Sequence, residues 1–169
     1  MLNLTPPQAY LALFACTLPI CLWICWSDLK TMKIPNLANM AILGVFLVVG
    51  FLVLPTNIWA WRLLNLPVIL LLGFVLNAIA NVGAGDAKFA AAAAPFFVPQ
   101  HVFMVLPLFC AFLLGAFATH RILRAIPAVR AATPDWVSWK RKDFPMGLAL
   151  AGTFVAYLAW RAFIPAFAQ

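Results

Sequence analysis

Long runs of apolar residues alternate along the chain with short segments that carry nearly all of its charge. A helix needs about 20 mostly apolar residues to cross a bilayer, and five runs come close to that length: 8–26, 37–54, 63–82, 101–119 and 144–160. The runs are continuous, whereas strands of a membrane barrel alternate apolar and polar positions. They predict an all-α membrane protein, because a helix satisfies its own backbone hydrogen bonds in hydrocarbon.

A sixth, shorter apolar run extends from about residue 86 to residue 98. As a helix it spans only about 20 Å, which is less than the hydrocarbon thickness. Lys and Arg collect on cytoplasmic flanks, so the distribution of charge decides whether this run crosses. If all six runs cross with the N-terminus outside, only Arg62 and Arg161 lie outside, and nine cations lie inside: Lys30, Lys33, Lys88, Arg121, Arg124, Arg130, Lys140, Arg141 and Lys142.

Without the sixth crossing, the basic cluster from Arg121 to Lys142 would move outside and violate this bias. We therefore predict a polytopic bundle of about six transmembrane helices with the N-terminus outside. Residues 1–10 contain no Lys or Arg, so the first run is expected to be a retained helix and not a signal peptide. We expect residues 1–169 to form a single transmembrane domain.

Composition supports this class: 66% of the residues are hydrophobic and only 9% are charged, against about 25% charged in soluble domains. The net charge of +7 is spread over several membrane-flanking loops, which predicts contact with anionic lipid and not with nucleic acid. The histidines and cysteines lack the spacing of metal ligands, so we expect no metal or cofactor. The sequence does not predict an oligomeric state.

The chain has four acids, Asp28, Asp86, Asp135 and Asp143, and no glutamate. The topology puts Asp28, after the first helix, and Asp86, between the third and fourth, at the same membrane surface. Each has a simple alternative explanation: Asp86 as a helix N-cap, and Asp28 as an interfacial acid paired with Lys30 or Lys33. Asp135 and Asp143 are expected to balance charge in a solvated basic loop.

Considered as a pair, Asp28 and Asp86 predict a chemical function that two separate surface acids would not. Two carboxylates that share a site hold a single proton, so one can take a proton from water while the other polarises a peptide carbonyl. Gly83 and Gly85 would let a substrate backbone approach Asp86 and would permit positive φ angles. This arrangement indicates an aspartic peptidase without a covalent intermediate.

The motifs around both acids resemble those of the type IV prepilin peptidases. Gly83–Asp86 (GAGD), followed by Lys88, is similar to the family's GxGD signature, and Asp28–Asn36 (DLKTMKIPN) is similar to its other aspartate segment. The segment Asp143–Thr153 (DFPMGLALAGT) resembles the family's last helix. The resemblance implies that Asp28 and Asp86 are catalytic and that Gly83, Gly85, Lys88, Pro35 and Asn36 are motif and supporting residues.

The resemblance also implies a substrate and a location. The substrate would be a prepilin or prepilin-like protein, and the enzyme would lie in the bacterial inner membrane and cut at its cytoplasmic face. Larger members add an N-terminal zinc-binding domain and methylate the new N-terminus. Nothing here resembles that domain, so methyltransferase activity is not expected. The short form is similar to the Tad/Cpa-type peptidases that process Flp prepilins.

Other functions stay open at this point. The GxGD motif also occurs in archaeal preflagellin peptidases and in presenilin-like proteases, but the latter pair it with Tyr-Asp, whereas Ser27 precedes Asp28 here. A small transporter or proton-conducting subunit would place an acid deep within a helix, and here the acids lie at segment ends. An inactive, peptidase-like assembly factor is a further alternative.

Overall fold

The computed structural model describes residues 2, 4–80, 82–141 and 143–164, and every regular element within these ranges is helical. Within the described residues, five helices are long and apolar enough to cross a membrane, so the protein is a polytopic helical membrane protein. In chain order the helices are α1 (Pro6–Thr31), α2 (Asn36–Val53), α3 (Thr56–Ala80), α4 (Ala84–Ala93), α5 (Pro99–Ala125), α6 (Pro127–Ala132) and α7 (Met146–Phe163).

The five long runs predicted from the sequence are confirmed as helices, with differences at their ends. Helix α1 continues past its predicted end to Thr31, and α5 continues to Ala125, so Arg121 and Arg124 lie in its last turns and not in a loop. The sixth run is also helical, and a 3₁₀ turn at Ala94–Phe96 extends α4. Lys142, predicted to lie inside, falls outside the described residues.

The centre of the bundle is the contact between α1 and α7. Leu13 and Ile24 of α1, and Phe154 and Leu158 of α7, are each at most 1% exposed. The two helices run antiparallel, because the end of α1 lies against the start of α7 at one end of the bundle and Tyr10 contacts Tyr157 at the other. This pairing brings residues at the start of the last helix to the end of the first.

We call the end of the bundle at which Tyr10 contacts Tyr157 the far end. The two arginines predicted to lie outside come together there. Arg62 of α3 donates a hydrogen bond to the Tyr10 hydroxyl over 2.9 Å, and the guanidinium of Arg161 lies 4.5 Å from the centre of the Tyr10 ring. Both arginines therefore lie at the end of the bundle opposite Asp28. This separation of cations agrees with the predicted topology.

Helix α4 and the turn after it connect the two ends of the bundle. Asp86, in the first turn of α4, lines a cavity with Asp28, whereas the Val98 N–H donates to the Tyr157 hydroxyl at the far end over 3.0 Å. The short helix is sheltered by α3: a Cβ added to Gly73 would lie 2.8 Å from the Cβ of Ala87. Close approach of small residues is typical of helix pairs in lipid. The segment from Asp86 to Val98 therefore runs from one end of the bundle to the other, as a sixth membrane crossing requires.

Reporter fusions test this topology. Alkaline phosphatase fused after Pro55 or Val98 should be active, because both loops are predicted to lie outside, and a fusion after Thr133 should be inactive. An active fusion after Thr133, with an active fusion after Pro55, would show that α4 does not cross. Inverted activities at all three sites would show that the N-terminus lies inside.

Candidate active site

Asp28 lies in the last turn of α1 and is almost completely buried, with 5% of its surface exposed. The sequence interpretation had placed it after the helix and considered a pairing with Lys30 or Lys33. Among the described residues, its hydrogen-bond donor is instead the backbone N–H of Gly147, which lies 2.7 Å from Asp28 Oδ2. The bond offsets part of the cost of burying a carboxylate.

Gly147 is the second residue of α7, at a position whose N–H has no acceptor within its own helix. The bond to Asp28 therefore satisfies a donor and an acceptor together. There is no room for a side chain, because a Cβ added to Gly147 would lie 2.8 Å from Asp28 Oδ2 and 3.1 Å from Asp28 Cβ. Sequence reasoning did not assign this role to Gly147. The sequence feature that could have indicated this role is a glycine two residues after Pro145, at the start of the apolar run that follows Asp143.

Asp86 is the third residue of α4 and is partly buried. The N-cap of α4 is Gly83, so the alternative that Asp86 caps the helix is wrong. The Asp86 carboxylate instead turns back towards Gly83, and a Cβ at Gly83 would overlap Asp86 Oδ2 and lie 3.2 Å from Asp86 Cγ. A side chain at position 83 would therefore displace the Asp86 carboxylate from its observed position. The suggested positive φ is not observed at any described glycine, and Gly83 has φ −56°.

The pKa of Asp86, which lies outside the five long spans, is raised from 3.8 to about 6. Burial is the larger cause, because it disfavours the charged form, and the nearby charge of Asp28 adds to it. This influence is consistent with the position of both groups at one cavity. A pair of this kind can hold one proton at a pH at which isolated aspartates are ionised.

Asp28 and Asp86 line one cavity of about 600 Å³. Three of the four acids in the chain contribute to it, since Asp143 lies at the same cavity. The predicted site residues Gly83, Gly85, Lys88 and Asn36 line it too, and its remaining lining residues are Met32, Lys33, Ile34, Ala84, Arg141, Phe144 and Met146. The two acids predicted to act together are therefore brought to the same space by α1, α4 and the segment before α7.

The supporting residues of the two motifs join α4 to the start of α2. Lys88 Nζ donates to Asn36 Oδ1 over 3.1 Å, and Pro35 is the N-cap of α2. A Cβ on Gly85 would lie 3.5 Å from the Cβ of the buried Ile34, an ordinary contact distance. The Ile-Pro-Asn and GxGD segments thus pack against each other and hold the start of α4 next to the start of α2.

Asp143, expected to balance charge in a solvated loop, does so and also lies at the cavity. Its carboxylate is exposed and forms an ion pair with Arg141, with 2.6 Å between Nη2 and Oδ2. Both residues nevertheless line the cavity beside the buried acids. The Arg141 carbonyl accepts a hydrogen bond from Arg124 Nη1 over 3.2 Å. This bond connects the side of the cavity that Arg141 lines to the end of α5.

The fold and the cavity define a polytopic membrane protein with a paired-carboxylate site at one end of its bundle. The sequence profile of the type IV leader peptidase family matches residues 15–120, more than half of the chain and the part that contains both acids and both motifs. The chain belongs to the type IV leader peptidase family, and the resemblance to that family is confirmed. Neither the curated proteins nor the solved structures include a significant match.

The contact between Gly147 and Asp28 predicts a steric effect on activity. Gly147→Ala keeps the N–H donor but pushes the Asp28 carboxylate out of place, and misplacement of a reacting group by about 1 Å can cost roughly 100-fold in rate. We expect peptidase activity to fall by about 10- to 100-fold in purified protein. Gly115→Ala is the control, since a Cβ there meets no atom within 4 Å. Full activity of Gly147→Ala would show that this contact does not position Asp28.

The raised pKa of Asp86 predicts a pH-dependent stability. The pKa of Asp86 is higher in the folded than in the unfolded protein. The stabilisation that comes from protonated Asp86 is therefore complete below about pH 3.8 and is lost as pH rises to about 6. Asp86→Asn is neutral at every pH, so it should melt at a higher temperature than the wild type at pH 7.5 and lose this advantage near pH 4. Thermal melts in detergent measure the difference, with the exposed Asp135→Asn as the control. If the melting temperatures of the wild type and Asp86→Asn differed by the same amount at every pH in this range, the raised pKa of Asp86 would be contradicted.

Proposed function

We propose that this chain is an aspartic endopeptidase that removes the leader peptide of a Flp-type prepilin at the cytoplasmic face of the bacterial inner membrane. The observation that carries the proposal is the shared cavity of Asp28 and Asp86. Membership of the type IV leader peptidase family supports a peptidase in general, and the aspartic mechanism and the Flp-type substrate are the proposed extensions.

In the proposed reaction the carboxyl pair begins with one proton and holds a water molecule near the scissile peptide. The ionised carboxylate takes a proton from water while the water oxygen bonds to the carbonyl carbon, and the protonated carboxyl donates its proton to the carbonyl oxygen. The tetrahedral intermediate then collapses. Its C–N bond breaks as the carboxyl that took the proton from water donates it to the leaving nitrogen, and the other carboxylate accepts a proton from a hydroxyl of the intermediate, giving a carboxylic acid and an amine. The pair again holds one proton for the next cycle.

The surrounding residues have distinct proposed roles. The N–H of Gly147 holds one oxygen of Asp28 in place, leaving the other for water. Gly83 gives the Asp86 carboxylate the space that it occupies, and Gly85 packs against Ile34 at the edge of the same cavity. Lys88 and Asn36 support α4 through their hydrogen bond, with Pro35 at the start of α2. None of these supporting residues takes or gives a proton in the reaction.

The proposed partners are the prepilin and the surrounding lipid, with no metal, cofactor or nucleic acid. Processing is proposed to end with hydrolysis, without methylation of the new N-terminus. The position of both acids in terminal helical turns favours this function over a proton path, which would place a carboxyl near the middle of a span. Proton flux through proteoliposomes that disappears in Asp86→Asn would support the transporter alternative instead.

Co-expression with a Flp-type prepilin tests the proposal directly, with loss of the leader followed on a gel. Asp28→Asn and Asp86→Asn keep the size of the side chain but cannot exchange the proton. Each should therefore lower the rate by roughly 100-fold or more, the range for general acid–base catalysis. Asp135→Asn should cleave at close to the wild-type rate.

Two further measurements make this experiment decisive. Membrane insertion and melting temperature of each variant separate a catalytic loss from a folding defect. Wild-type cleavage rates in either Asp28→Asn or Asp86→Asn would refute the paired-carboxylate mechanism, and failure of the wild type to cleave any Flp-type prepilin, with cleavage of a preflagellin, would reassign the substrate.

A further inference from the structure

The cavity that holds the paired acids carries six charged side chains among its described lining residues, three of each sign. They are Asp28, Asp86, Asp143, Lys33, Lys88 and Arg141. A sphere with the volume of this cavity is about 10 Å across, which is close to the Debye length at 0.1 M salt. A charge on one wall of the cavity is therefore only partly screened from a carboxyl group on another wall.

Cations in this cavity oppose the proposed reaction, because the reaction needs one proton on Asp28 and Asp86 together. A nearby cation favours the ionised form of a carboxyl group and so promotes loss of its proton. The pKa of Asp86 is nevertheless raised to about 6, with burial as the larger cause and the charge of Asp28 as the second. The cations of the cavity are therefore arranged in a way that leaves the proton in place.

Two of the three cations face water or a neutral partner. Lys88 Nζ donates to Asn36 Oδ1 over 3.1 Å, and Lys33 is exposed. Arg141 differs, because it is the only cation among the described lining residues that is in an ion pair, with 2.6 Å between its Nη2 and Asp143 Oδ2. The charge of Arg141 is thus cancelled at the cavity itself.

Stability of the fold does not explain the pair of Arg141 and Asp143. The two side chains are 53% and 63% exposed, and exposed ion pairs contribute little to stability. Other bonds hold this part of the main chain, since the Arg141 carbonyl accepts from Arg124 Nη1 and the Gly147 N–H donates to Asp28. Loss of the Asp143 charge would therefore leave the guanidinium of Arg141, on a long and flexible side chain, uncompensated at the cavity.

We propose that Asp143 is a positioning residue for the reaction, because it holds the Arg141 guanidinium in an ion pair and so keeps this cation from displacing the proton that the paired acids share. This inference rests on the proposed function, since it requires a singly protonated pair. Asp143 itself neither takes nor gives a proton in the reaction. The ion pair helps to set the pH above which the peptidase loses the shared proton.

The pH dependence of kcat/KM for a full-length Flp-type prepilin tests the proposal, because it reports the ionisation of groups in the free enzyme. Asp143→Asn leaves Arg141 as an uncompensated cation. The alkaline limb, where the pair loses its shared proton, should then move to lower pH by about half a pH unit, the effect of one charge across about 10 Å of partly aqueous surroundings. Arg141→Gln leaves an additional negative charge and should move the limb to higher pH by a similar amount.

Opposite displacements distinguish this role from a structural one. If the ion pair only held the loop in place, both single variants would lose activity without opposite changes in pH dependence. The double variant, Arg141→Gln with Asp143→Asn, restores the balance of charge and should follow the wild-type profile. Asp135→Asn is the matched control, because Asp135 is exposed in the same loop and does not line the cavity. Displacement of both single variants in the same direction, or of neither, overturns the proposal.

Infrared titration of the same variants separates this inference from the proposed function, because it needs no substrate. The protonated carboxyl band expected near pH 6 should titrate at lower pH in Asp143→Asn and at higher pH in Arg141→Gln. If the band moves in this way but the wild type cuts no prepilin, the effect of the ion pair is supported and the proposed substrate is wrong. If the wild type cuts prepilin and the band titrates at one pH in the wild type and both variants, the proposed function is supported and the role of Asp143 is overturned.

Discussion

The hydrogen bond between the Gly147 N–H and the Asp28 carboxylate is the interaction on which the site depends. It joins the last turn of the first helix to the first turn of the last helix, 119 residues apart in sequence. A carboxylate that is only 5% exposed needs a partner, and the free N–H of a helix start supplies one without adding a second charge. The α1–α7 contact therefore does more than stabilise the bundle, because it sets the position of one of the two acids.

Different contacts, those of helix α4, position the second acid, Asp86. Helix α4 is short, has Gly83 as its N-cap and packs on α3 where Ala87 meets Gly73, and its first turn brings Asp86 to the cavity that Asp28 also lines. The Lys88–Asn36 bond then fixes α4 against α2.

Much of this arrangement could be predicted from the sequence, because hydrophobic run length and charge asymmetry are strong signals in membrane proteins. They predicted the five long helices and the grouping of Arg62 with Arg161, and rarity of acids pointed to Asp28 and Asp86. The role of Gly147 could not be predicted this way, since a backbone N–H has no sequence signature and its partner is distant in the chain. The place of Asp143 at the cavity was missed for a related reason: the path of a loop depends on packing, here the edge-to-face contact of Trp136 with Trp26 of α1 and the stacking of Trp139 on His120 of α5.

The central claim is that Asp28 and Asp86 share one proton, and infrared titration of the purified protein tests it most directly. The account predicts a protonated carboxyl band that titrates near pH 6 in the wild type, disappears in Asp86→Asn, and moves to lower pH in Asp28→Asn, because the neighbouring negative charge has been removed. A band that titrates at the same pH in the wild type and in Asp28→Asn would show that the two groups do not interact, and it would contradict the account.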